Sequence, residues 1–130
     1  LSAAETVVES AKVAAKAAAD KLAENIVAVD VSERLAITDL FIIASASTER
    51  QVNSIVDNIE DELIKLDRRP VRREGRTEGR WVLLDYGDMV IHVMHDEDRA
   101  FYALERLWKD CPSVDLGLQE PGDAAASAAG

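Results

Sequence analysis

The sequence predicts one α/β domain, a mixed β-sheet of about five strands with helices packed on it, in the order α-β-β-α-β-β-β-α. Three observations lead there. Two long segments repeat apolar residues at helical spacing, and five short runs between and after them are alternating or continuously apolar. A strand-helix-strand passage and a tight hairpin occur in the same chain, which calls for both parallel and antiparallel neighbours in one sheet.

The first helix is marked by Val8, Ala11, Ala15, Ala18 and Leu22, with Glu9, Lys12, Lys16 and Asp20 on the opposite stripe. Its apolar side is mostly alanine, so it can lie close to whatever it packs on. Residues 26–32 then alternate as a strand, with Ile26, Ala28 and Asp30 on one face and Val27, Val29 and Val31 on the other. Asp30 is expected at the strand's solvated end. After a loop from Ser32 to Thr38, the largely apolar run at residues 40–46 reads as a central strand covered on both faces, pairing antiparallel with its predecessor.

Thr48 opens the second helix, with Gln51 at capping-box spacing. Val52, Ile55, Val56, Ile59, Leu63 and Leu66 form its apolar stripe, and Pro70 stops the helical region. The run from Pro70 to Glu74 suits an edge strand. Arg72, Arg73, Arg76 and Arg80 form the main basic cluster, but Glu74 and Glu78 are interleaved, which favours a mixed-charge surface loop over a phosphate contact. The hairpin follows. A third helix then starts near Asp96, with Asp96, Glu97 and Asp98 where the helix dipole favours negative charge. Phe101, Leu104, Leu107 and Trp108 should form its buried face, with Pro112 as its stop. Residues 117–130 are Gly, Pro, Ala and Ser in low-complexity order. The expected division is a domain at residues 1–116 and a disordered tail at 117–130.

The hairpin holds the candidate site. A turn at Tyr86-Gly87 would pair Asp85 with Asp88, Leu83 with Val90 and Trp81 with His92. Alternation then puts these residues on one face with Met94, while Val82, Leu84, Met89, Ile91 and Val93 make an aliphatic core face. Opposed like charges across two strands are destabilising, so their retention suggests carboxylates offered to something cationic. Trp81 on this face and Tyr86 at the hairpin tip are of types enriched at interface hot spots, and Met94 is an adaptable contact residue. By pattern alone, Trp81 packing under a helix is an equal alternative. The expected partner-binding set is Trp81, Leu83, Asp85, Tyr86, Asp88, His92 and Met94.

Composition narrows the classes. A net charge of −10 argues against a general phosphate-backbone binder and is compatible with a basic partner. One cysteine, Cys111, allows no internal disulfide and suits a reducing compartment. No run is long and apolar enough to span a membrane, and the first residues lack the pattern of a signal peptide, so a cytoplasmic location is expected. No phosphate loop, dinucleotide fingerprint or nucleophile elbow occurs. His92 and His95 start on opposite strand faces, which disfavours a metal site with Asp96. No cofactor or metal is expected. The competing enzyme reading is nucleotidyl or phosphoryl transfer using Asp85, Asp88 and a metal.

ITDLFIIASAST at residues 37–48, the following ERQVNSIVDNIEDEL, then WVLLDYGDMVIHVM and RAFYALERLW resemble the ribosomal silencing factor family (RsfS, also called Iojap) in order and spacing. The resemblance covers roughly residues 5–110. Ala46 departs from a glycine common there, and the Arg-rich segment before Trp81 is variable ground in the family. The resemblance implies a nucleotidyltransferase-like fold without the catalytic machinery: Ser45 and Ser47 lack the glycine and the later Asp-x-Asp of active members. It also implies a translation repressor that binds large-subunit ribosomal protein fourteen and sterically blocks joining of the ribosomal subunits. A homodimer off the ribosome is implied too, with Trp81 at the position of a family partner contact.

Overall fold

The computed structural model describes residues 5–118. The elements are α1 (Glu5–Asp20), β1 (Glu24–Asp30), β2 (Leu40–Ala46), α2 (Glu49–Ile64), β3 (Arg72–Glu74), β4 (Trp81–Asp85), β5 (Met89–His95), α3 (Asp96–Tyr102) and α4 (Leu104–Leu107). The strands lie in the order β1-β2-β5-β4-β3. β2 pairs parallel with β5, and every other neighbouring pair is antiparallel. This is the expected mixed sheet, with β2 interior and buried and β3 an exposed edge.

The main core lies between one face of the sheet and α1 with α2. Val82, Leu84, Met89, Ile91 and Val93 are fully buried there, as alternation requires. Each such side chain contributes about 1.5–3 kcal/mol by leaving water. The buried side of α1 is Val7, Ser10, Ala11, Ala14, Ala15, Ala17 and Ala18, with the expected Val8 partly buried against the core. The small alanines bring α1 close enough to α2 for Asn58 Nδ2 to donate to the Ala17 carbonyl at 2.8 Å. Leu22, expected on this stripe, lies past the helix end with φ +64° and is exposed.

Thr48 caps α2 by accepting from the Gln51 N–H at 3.1 Å. The other half of the expected capping box is absent: the Gln51 side chain donates to the Lys21 and Leu22 carbonyls instead. The helix ends at Ile64, well before Pro70, which leaves Leu66 exposed. Asp30 is buried rather than solvated, and its Oδ1 accepts from the Ser32 N–H at 2.9 Å and from the Ser32 hydroxyl.

Residues after α4 return to the β1 edge. The Asp30 N–H donates to the Pro112 carbonyl and the Val114 N–H to the Ala28 carbonyl. Leu116 is buried in the core, and Leu118 packs against it. The packed unit therefore passes the expected boundary at residue 116, and residues 119–130 of the expected tail lie outside the described residues.

Candidate partner-binding face

The hairpin turn is centred on Gly87-Asp88, one residue later than the expected Tyr86-Gly87. Tyr86 N–H donates to the Met89 carbonyl, Gly87 takes φ +85°, and Asp85 Oδ1 accepts from the Gly87 N–H at 2.8 Å. The resulting register sets Trp81 against Met94, Leu83 against His92 and Asp85 against Val90. Asp85 therefore does not oppose Asp88, and Trp81 does not oppose His92. Each expected partner moves by two residues, so every side chain keeps its face although every pair changes.

The two carboxylates are held by the protein's own cations. Asp85 lies beside Arg72 at 3.8 Å, and Asp88 forms an ion pair with Arg68. Arg68 also donates to Ser10 Oγ at 2.9 Å and lies 5.7 Å from the centre of the Tyr86 ring. Arg68 thus ties α1, the end of α2 and the hairpin turn together. Tyr86 is not a solvent-facing tip residue. It continues the Val82, Leu84 alternation into the core, where burial and the nearby Glu60 carboxylate push its hydroxyl up to about 12. Met94 is fully buried on the opposite face and cannot serve as a surface anchor in this conformation.

What that opposite face presents is a chain of rings. Phe41 of β2 meets Trp108 edge-on with centroids 5.2 Å apart, and meets His92 of β5 at 5.0 Å. His92 lies 6.0 Å from Trp81, Trp81 lies 4.8 Å from Tyr102, and Tyr102 lies 5.0 Å from Phe101. His92 is buried and Phe41 and Trp108 are half-buried, whereas Phe101 is 81% exposed and Tyr102 is 49% exposed. Trp81, also half-buried, joins these rings to the exposed ones. His92 is 5% exposed, and burial lowers its pKa to about 4. Its Nδ1 accepts from the Trp81 indole N–H at 3.1 Å.

Phe101 was expected to be buried, as was Leu107, which is 64% exposed. The helix breaks at Ala103, which adopts the left-handed conformation at φ +48°, so Leu107 lies in a separate helical turn. The break lets buried Arg99 pair with Glu105 at 3.2 Å. In a straight helix those positions would lie about 9 Å apart along the axis and on different faces. Arg99 Nη1 also donates to Ser45 Oγ at 3.1 Å and to the Glu24 carbonyl at 3.3 Å, which locks α3 onto the ends of β1 and β2.

These groups border a cavity of about 400 Å³ that includes Glu24, Ser45, Asp96 and Arg99 but none of the rings. A hydrogen bond with Asp96 is the main cause holding the Glu24 carboxyl above its ordinary range. Among the described residues, no group of three or more His, Cys, Asp or Glu side chains could hold a metal ion, and no helix is long and apolar enough to cross a membrane. The basic loop is a mixed-charge surface. Arg72 pairs with Glu74, Arg73 with Glu60, Arg76 with Asp57, and Arg80 with Glu97 and Asp98.

Known proteins are similar to this chain in sequence and in fold. The chain is 41% identical over 105 residues to a ribosomal silencing factor of Bacillus subtilis, covering 81% of this chain and 89% of that one. A crystal structure of a Chromobacterium violaceum protein superposes with a TM-score of 0.75 at 33% identity, covering 78% of this chain and 84% of that one. One from Bacillus halodurans gives 0.70 at 36% identity, covering 80% and 94%. A family model described as ribosomal silencing factor during starvation matches residues 4–129. With its mixed five-stranded sheet and the matches along nearly its whole length, this chain belongs to the ribosomal silencing factor family, whose role is ribosome-associated regulation of translation.

Proposed function

We propose that this protein represses translation by docking on the large ribosomal subunit through ribosomal protein fourteen and sterically blocking subunit joining. The observation that carries the reading is the exposed end of the ring chain, Trp81, Tyr102 and Phe101, on the sheet face that α1 and α2 leave free. Large amphipathic rings held rigid beside water are the residues that dominate interface energies. Trp81 and Leu83 remain from the expected binding set as half-buried contacts, and Tyr102 and Phe101 join them. Asp85, Tyr86, Asp88, His92 and Met94 act instead as internal supports.

A net charge of −10 favours encounter with a basic protein and opposes bare RNA. The action then belongs wherever ribosomes are, in the cytoplasm, and requires no cofactor. The transfer-enzyme alternative needs Asp85 and Asp88 to converge on a metal, whereas Asp88 is ion-paired with Arg68 and Asp85 accepts from the Gly87 N–H in the turn. Sedimentation with purified large subunits tests the reading. Trp81→Ala should lose about 2 kcal/mol of affinity while its circular dichroism stays native. Added small subunits should compete with the factor for the same face. Binding unchanged by Trp81→Ala, or one factor inactivating many ribosomes, would overturn the proposal.

A further inference from the structure

We infer that His92 is a positioning residue whose Nδ1 fixes the Trp81 indole and so prepares the ring chain for docking. The inference rests on the proposed docking through Trp81. The two side chains stand diagonally on neighbouring strands of one sheet face, because Trp81 opposes Met94 and Leu83 opposes His92. The indole N–H donates to Nδ1 at 3.1 Å. The imidazole that receives it is almost fully buried and is braced edge-on by Phe41, which is itself braced by Trp108. A tryptophan beside solvent normally samples several rotamers. This one is tied at its polar atom to a buried ring and is packed against Tyr102.

The chemistry at position 92 is not explained by packing. Nδ1 acts as an acceptor, so the neutral ring carries its proton on Nε2, which is buried without a hydrogen-bond partner among the described residues. Leaving a donor unsatisfied in an apolar site is unfavourable, and a purely apolar ring would avoid it. The acceptor for Trp81 is what the histidine supplies in return. Holding the indole in place before contact removes an ordering cost from binding.

The test compares His92→Phe, which keeps a ring without an acceptor, with His92→Asn, whose Oδ1 can stand where Nδ1 stands. Trp81→Ala serves as the reference. Hydrogen exchange of the Trp81 indole N–H is read by NMR with the Trp108 indole as internal control, and affinity for purified large subunits is read by sedimentation. His92→Phe should speed Trp81 exchange about tenfold or more and weaken binding about three- to tenfold, and His92→Asn should recover much of both. If His92→Phe does not fold, His92→Leu takes its place. Unchanged indole exchange in the variant lacking the acceptor overturns the inference, as does faster exchange with unchanged affinity. Trp81→Ala separates the two failures. If it weakens binding and His92→Phe does not, only the positioning role falls. If it binds like the parent, docking through Trp81 falls.

Discussion

Burying a histidine without charge makes stability depend on acidity in a calculable way. The folded protein holds His92 neutral down to a pKa of about 4, against an ordinary value of 6.5, because burial disfavours the cation. Between those values the unfolded chain takes up a proton that the folded chain refuses. Stability is therefore unaffected by this group above pH 6.5 and falls as the pH drops through the window towards 4. Integrating the two titrations, His92 should remove about 2 kcal/mol of stability between about pH 7 and pH 5, and about 3 kcal/mol across the full window. Urea unfolding of the parent and of His92→Gln at about pH 7, 6 and 5 isolates this term, since every other group is common to both proteins. The parent should lose about 2 kcal/mol more than the variant over that interval. Parallel stability curves would show that His92 titrates normally, and the buried neutral imidazole would have to be abandoned.

Other outcomes follow from the same geometry. Asp88→Asn should destabilise the isolated protein by about 1–2 kcal/mol in urea unfolding, because Arg68 is mostly covered and loses its charge partner; equal or greater stability would mean that the ion pair contributes nothing. Tyr86→Phe removes a buried hydroxyl that has no hydrogen-bond partner among the described residues and should leave stability equal or higher while ribosome binding is unchanged; weakened binding would return Tyr86 to the interface. Leu116→Ala should cost about 2 kcal/mol or more in unfolding free energy if the segment after α4 is part of the core. Phe101→Ser should leave thermal stability within about 0.5 kcal/mol, since the ring is mostly in water, while lowering affinity for large subunits.

The fold was legible because alternation and helical spacing are local properties. Residues 40–46 could be placed as a covered central strand without knowing what covers them. The register of the hairpin was not legible. It depends on Asp85 accepting from the Gly87 N–H, and shifting the turn by one residue changes every pair while preserving every face. That is why Trp81 and His92 were assigned to the correct face but the opposed carboxylates were not real. Tyr86 did carry a readable signal, since it extends the period of Val82 and Leu84. Met94 carried none, because nothing in the sequence tells which rows of the second face a short helix will cover. The break at Ala103 has neither glycine nor proline to announce it. It accompanies the Arg99 contacts with Ser45, Glu24 and Glu105, which are distant in sequence or closed only by the fold.

The parallel pairing of β2 with β5 also bears on how the chain is made. β2 emerges early during synthesis and can pair at once with β1, but its other edge must wait until residues 89–95 have been added. Until then a largely apolar strand offers an unpaired edge, the kind of surface that invites pairing with another nascent chain. Closing such a long-range contact is slow compared with forming the two hairpins that flank it. The last step of assembly should therefore be the docking of one preformed hairpin onto the other. A substitution that weakens the Leu40–Met89 end of that seam should appear first as poor yield of newly made protein, before any loss is seen in the mature form.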